Sequence, residues 1–403
     1  MFASAMEESS GSPRIQSVDV LRGAIIIIMA LDHARDFTNL AAMSFSPTDL
    51  SRTTAALFFT RWITHFCAPV FALTAGMGAF FWYRNKRTLP ELSRFLLTRG
   101  LWLMFLELTL LRFILLFAWN WTGGPFILTV FWMLGLSMVV LAALVHLPAK
   151  LLAPLSLLVI AAHNLLDPVR PERFGRLAPL WDVLHQQAAF PFHGALLVVA
   201  YPLIPWVAVM AAGFCLGPVL FWDAGSRRQF LARLGLAFTV AFLLLRVLNH
   251  YGDPSKWSLK SSALFTALSF LNTTKYPPSL VFLLMTLGPA LVALAILDRR
   301  SFSSANPLLV FGRVPFFFFL FHLALAHGLA VLLPAFRYGF HSFLLLPPPS
   351  LGGPREAFPQ DYGFSLPVVY LIWIAVVAIS YPVCRWYANL KNRRRDLWWL
   401  SYL

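Results

Sequence analysis

Arg22 and His33 stand eleven residues apart in the mostly apolar run from Arg14 to Phe37. At about 100° per residue that is three turns plus roughly 20°, so both side chains lie on one helix face, about 16 Å apart along the axis. Ionisable groups inside a bilayer are costly, so they face an internal cavity and mark a functional path. A cation at one depth and a titratable base half a bilayer further on suit a reaction that crosses the membrane. Histidine is the usual general base near neutral pH. His33 and Asp36 are i,i+3 neighbours, so Asp36, or Asp32 beside it, is expected to hold the imidazole in one tautomer. The bland alternative is a polar helix end solvated among lipid headgroups.

Other ionisable groups sit at similar depths. Arg61 and His65 are i,i+4 on the second apolar run and are expected to line the same cavity, or else to bond between helices. Arg313, His322 and His327 lie on a later run. Arg313 is a candidate for the donor's charged end and His322 for the cavity wall, the bland alternative for His322 being a packing hydrogen-bonder; His327 lies further out on the same run. Glu107 and Arg112 read as structural, with Glu107 bonded to the bundle or paired with Arg112 or Arg61. Polar-aromatic clusters occupy the loops. One holds Asn164, Asp167 and Trp181, another Arg246, Asn249 and Asp253, and a third Lys275 beside Tyr276. Flat rings next to Asp, Asn and Arg suit a sugar, and the same mixture describes an interfacial aromatic belt.

These residues need a scaffold, and the composition says which. The chain has 403 residues, of which 59% are hydrophobic and 12% charged. Apolar runs of about 20 residues recur throughout, the pattern of an all-helical polytopic membrane bundle. Ten spans are expected, near 18–38, 56–82, 95–119, 125–146, 149–163, 194–221, 229–248, 279–297, 307–334 and 365–388. Residues 1–17 read as a short cytoplasmic segment, 18–388 as the membrane domain and 389–403 as a basic cytoplasmic tail. The weakest span is 149–163, which is short and contains Pro154. Gly76 and Gly78 are expected to let backbones approach closely.

Charge gives the orientation. Arg84, Lys86, Arg87, Arg94 and Arg99 cluster between the second and third spans. Arg227, Arg228, Arg233, Arg299, Arg300 and the tail of Lys391, Arg393, Arg394 and Arg395 fall on the same side in a ten-helix path. That side is expected to be cytoplasmic, with both termini inside. The net charge of +15 has this origin, and no nucleic-acid partner is implied. The three cysteines sit in apolar segments and read as buried thiols. No HExxH, CxxC, phosphate-binding loop or GxSxG occurs, so a metal site, redox chemistry and nucleotide hydrolysis are not supported. No removable signal peptide is read at the start.

Arg22-x10-His33, preceded by Asp19, resembles the first helix of the transmembrane acyltransferase superfamily, its membrane O-acyltransferase branch included. The longer string from Ser17 to Phe37 is more similar to bacterial relatives of the heparan-α-glucosaminide N-acetyltransferase catalytic domain. So are the stretches Trp62–Phe71, Tyr201–Trp206, Arg246–Pro254, Lys275–Ser279 and Gly312–Pro315. The resemblance implies an enzyme that takes acetyl from cytosolic acetyl-CoA and delivers it to an amine or hydroxyl, a sugar's, beyond the membrane. Arg22 would meet the phosphates of CoA, with Arg61, His65 and Arg313 as further donor contacts. His33 would be the base, with Asp32 and Asp36 orienting it and His65 or Arg61 stabilising the oxyanion. Asn164, Asp167, Trp181, Arg246, Asn249, Asp253, Lys275 and His322 would face the acceptor, an extracytoplasmic glycan or amino sugar. The lysosomal enzyme has Asn in the place of His33 and a further luminal His, whereas residues 37–56 here hold none. That difference favours direct transfer over an acetyl-histidine intermediate. A bacterial inner membrane is the expected location and a homodimer a possible assembly. The competing readings are a proton-coupled transporter without acyl transfer and a scaffold whose polar groups only join helices.

Overall fold

The computed structural model describes residues 15–85, 87–118, 120–122, 124–394, 396–397 and 400. Most of the expected 1–17 segment, Lys86, Arg395 and the chain end from 401 lie outside the described residues. Fifteen α-helices and three short strands are seen among the rest. In order they are α1 (Gln16–Thr38), α2 (Ala55–Ile63), α3 (Cys67–Arg84), α4 (Leu89–Leu106), α5 (Arg112–Leu116), β1 (Phe126–Leu128), α6 (Val130–Leu144), α7 (Ala149–Ala162), α8 (Ala178–His185), β2 (Ala188–Phe192), β3 (Ala195–Val199), α9 (Trp206–Leu216), α10 (Ala224–Leu248), α11 (Ala263–Leu271), α12 (Leu280–Leu297), α13 (Pro307–Arg313), α14 (Pro315–Tyr338) and α15 (Leu366–Arg393).

α1 is central. It packs against α3, α12, α13, α14 and α15, so its ionisable side chains meet protein. α10 and α15 are peripheral and expose Leu243, Leu244, Leu371 and Ile374, as lipid-facing helices do. Among the described residues, six helical runs are long and apolar enough to cross a membrane, against the ten expected: Ala55–Arg84, Ala149–Leu166, Ala224–Leu248, Leu280–Leu297, Pro315–Tyr338 and Leu366–Arg393. Val130–Leu144 and Trp206–Phe221 are shorter apolar runs. α1 falls outside the six because Asp19, Arg22, Asp32, Arg35 and Asp36 crowd its apolar stretch. With these helices the chain is a multi-pass membrane protein.

Proline accounts for two departures from the expected spans. Pro69 has no N–H and its ring crowds the carbonyl four residues back, that of His65. The second span is accordingly broken by a 3-10 turn over Thr64–Phe66. Pro315 separates α13 from α14 within the expected 307–334 span. The expected 194–221 span is wrong at its start. Residues 195–199 form β3, antiparallel to β2 and parallel to β1. His193 and Gly194 turn the hairpin at φ +46° and +81°, the backbone that such tight turns require. Likewise 126–128 is strand, and α6 begins only at Val130.

Glu107 and Arg112 explain that corner. A π-helical segment, Glu107–Leu111, interrupts the third span. Glu107 accepts from the N–H groups of Thr129, Phe131 and Trp132 at 3.0–3.1 Å and from the Thr129 hydroxyl at 2.7 Å. These amides open α6 and have no partner within it, so Glu107 caps a helix from another part of the chain. Arg112 donates to the carbonyls of Ala118, Asn120, Trp121, Gly124 and Pro125. The two residues do not pair with each other, nor does Glu107 pair with Arg61. Gly76 packs against the backbone of Met210 and Phe214 on α9, as close approach requires.

Candidate active site

α1 presents one stripe, Arg22, Ile26, Met29 and His33, at i, i+4, i+7 and i+11. The first three line a cavity of about 340 Å³ closed by α3, α4, α6 and α14. Its walls are mainly Phe, Leu, Met and Ala, with Arg22 and Arg99 as the charged lining residues. Arg22 donates through Nη2 to the Thr74 carbonyl and lies 3.7 Å from Asp19. Gly78 gives the guanidinium room: a Cβ there would sit 3.1 Å from Nη2. Trp82 and Phe95 stack at 4.5 Å along the same wall. Arg87 lies over Trp82, 5.0 Å from the ring centroid.

His33, next on the stripe, meets the cavity residue Phe319 edge-on. Its Nδ1 lies 2.9 Å from Nε2 of His322, and Nδ1 of His322 lies 2.7 Å from the Phe318 carbonyl. A carbonyl only accepts, so His322 donates from Nδ1 and, when neutral, keeps its lone pair on Nε2. His33 must then donate from Nδ1, which leaves the lone pair on its own Nε2. That atom has no hydrogen-bond partner among the described residues and is not sealed from solvent. The imidazole is thus held in one tautomer.

The orienting partner is His322, and this corrects the role given to the carboxylates. Asp32 accepts from Arg61 at 2.5 Å, from Thr64 at 2.9 Å and pairs with Arg35 at 2.7 Å. Asp36 pairs with Arg35 at 2.5 Å. Neither bonds His33. Buried charges need partners, and these two carboxylates have been taken up by two guanidiniums.

The four donor-contact candidates separate. Arg22 lines the cavity. Arg61 is tied to Asp32 outside it. His65 is buried with its ring 5.4 Å from that of Phe282, and its Nδ1 has no hydrogen bond. Arg313 borders a different pocket of about 170 Å³ with Arg385, Asn389 and Asn392. Arg99, read from sequence only as part of a basic loop, belongs to the cavity instead.

The acceptor candidates separate too, and most hold loops. Arg246 donates to the carbonyls of Ser255, Ser269, Phe270 and Asn272 at 2.7–2.9 Å and pairs with Asp253 at 3.4 Å. Asn249 bonds both the N–H and the carbonyl of Trp257. Asp253 accepts from Ser255 and Thr274, and burial pushes its carboxyl above the ordinary value. Asn164 joins the N-terminus of α12 to Asp167. Burial would raise the Asp167 carboxyl, but bonds from His185 and Asn164 outweigh it and hold it below the ordinary value. The Trp181 indole donates to the Val169 carbonyl. These six residues spend their polar atoms on the protein.

Two of the eight converge on the centre. His322 orients His33. Lys275, buried, faces Asp32, His33 and His65 with its charge and lies 5.1 Å from the Tyr276 ring centroid. The Tyr276 hydroxyl donates to that of Tyr201 at 3.1 Å, a pair missed in the sequence. His327 stacks on Phe37 and Phe117 and bonds the Ile114 carbonyl. No group of three or more His, Cys, Asp or Glu is placed to hold a metal among the described residues.

A family model described as heparan-alpha-glucosaminide N-acetyltransferase, catalytic, matches residues 14–255, more than half of the chain. No curated protein matches it. The matched stretch holds Arg22, His33 and Arg99, whereas His322 and Lys275 come from beyond it. The chain belongs to the heparan-alpha-glucosaminide N-acetyltransferase catalytic family.

Proposed function

We propose that this member of an acetyltransferase family moves an acetyl group from cytosolic acetyl-CoA to an amine or hydroxyl, a sugar's, on the periplasmic side of a bacterial inner membrane. One observation carries the reading. The α1 stripe carries Arg22 in the wall of an apolar cavity and, three turns further on, His33, whose ring meets the cavity residue Phe319. Arg22 and Arg99 suit the phosphates of CoA, and the Trp82–Phe95 wall suits a flat base. The apolar channel suits the pantetheine arm, which brings the thioester toward His33.

His33 acts through Nε2. It takes the proton from the acceptor as nitrogen or oxygen attacks the thioester carbonyl. The new C–N or C–O bond forms, the C–S bond breaks, and the proton passes to the departing sulfur. His33 returns to its starting form. His322 holds Nδ1–H throughout, so the imidazolium forms without rearranging its partner.

The test uses protein in liposomes, with acetyl-CoA on the face bearing the basic loops and glucosamine on the other. We expect His322→Leu to lower kcat roughly 10- to 100-fold, a share of the 10²–10⁴ that a general base contributes. KM for acetyl-CoA stays as it was. His322→Gln, whose carbonyl can accept from His33, recovers part of the rate. Equal loss in both variants, with KM rising alongside, would reduce His322 to a packing residue. Acetyl-CoA left unconsumed by the wild-type protein with glucosamine and with hydroxyl sugars would remove the reading itself.

A further inference from the structure

Phe319 stands where the cavity meets the histidine pair. Its ring lines the cavity. The same ring meets His33 and His322 edge-on, 5.7 Å from each ring centroid. Phe131, also a cavity residue, packs against it at 4.5 Å. Phe319 precedes His322 by three residues on α14, so both project from one face. Arg22, Ile26 and Met29 line the cavity and His33 does not; the Phe319 ring, in contact with both, lies between His33 and the cavity wall residue Phe131. Of the cavity residues, it is the one in ring contact with both histidines.

We propose that Phe319 sets the length of the acyl group this protein accepts. The inference rests on the thioester reading above. A thioester drawn up the cavity arrives with its acyl group leading. Its carbonyl carbon must come within about 3.5 Å of an acceptor atom that is itself hydrogen-bonded to His33. At that depth the acyl chain has the Phe319 ring beside it and Phe131 behind the ring. An acetyl group adds one methyl beyond the carbonyl, and every further methylene has to compete with the ring for space. An apolar pocket discriminates by about 10- to 200-fold per methylene when its walls are firm. Phe319 is buried among aromatic neighbours, so its wall is firm.

The test is calorimetric binding of acetyl-CoA, butyryl-CoA and free CoA to the purified full chain. Wild type is compared with Phe319→Ala and Phe319→Leu. The wild-type protein is expected to bind acetyl-CoA at least about tenfold more tightly than butyryl-CoA. Phe319→Ala erases or reverses that ratio while free CoA binds as before, and Phe319→Leu shifts it part of the way. An unchanged ratio in Phe319→Ala, with free CoA still bound, overturns the inference and leaves the thioester reading standing. Should Phe319→Ala not fold, Phe319→Leu decides: a ratio equal to that of wild type overturns the inference. No CoA species bound by folded wild-type protein overturns both.

Discussion

His33→Ala is expected to lower acetyl transfer by about 10²–10⁴, the contribution of a positioned general base, while the protein still inserts, folds and binds acetyl-CoA. The expectation follows from what His33 touches. Its one hydrogen bond joins it to His322, and its other nitrogen is open. Removing the ring leaves His322 Nε2 without a partner, a modest loss because that atom is an acceptor a water can satisfy. The Arg22 end of the cavity is three helical turns away and keeps its shape. Activity and stability should therefore separate. A scaffold role predicts the opposite pattern, loss of folded protein without a specific loss of rate. The measurement is transfer rate beside thermal stability for the same purified sample. Near-normal rates in His33→Ala would contradict the role given to this residue.

Glu107→Ala is expected to act on stability in the opposite proportion. Three amides and a hydroxyl at the start of α6 lose their acceptor in one step. An orphaned buried donor costs about 1–3 kcal/mol, and neighbouring losses do not simply add. A total on the order of 4 kcal/mol is expected, enough to unfold a marginal protein. Glu107→Gln recovers only part, because its amide N–H₂ faces donors. The consequence reaches the site, because α6 carries Phe131 against Phe319. Thermal unfolding in detergent checks the order wild type, Gln, Ala. Equal stability of all three would show that water or other groups cap α6.

Some of this was legible in the chain. α1 was found within two residues at its start, because its apolar stretch and its polar ends are local features. The Arg22–His33 stripe followed from helical geometry alone. His322 as the partner of His33 was not legible: 289 residues separate them, and only packing brings α14 to α1. Asp36 looked the better partner by spacing, but spacing does not reveal that Arg35 takes it. The loops misled for a related reason. Arg246, Asn249 and Asp253 have the residue types of a sugar site, yet a buried loop must satisfy its own carbonyls. Those residues are used up doing so. Residues 195–199 joined an apolar run that continues through α9, and periodicity cannot separate a short buried strand from a helix there. His193-Gly194, Pro202 and Pro205 were the available signals. Arg99 was visible as a basic residue and hidden as a cavity residue, since only the α4–α6 pairing turns it toward Arg22's cavity.

The most direct measurement is calorimetric binding of acetyl-CoA to detergent-purified protein, wild type beside Arg22→Ala. The account predicts a Kd of about micromolar order for wild type. It predicts weakening by at least about tenfold in the variant, as loss of one charge-assisted contact implies. Folded wild-type protein that binds neither acetyl-CoA nor CoA would contradict a cytosolic thioester donor and shift attention to proton-coupled transport.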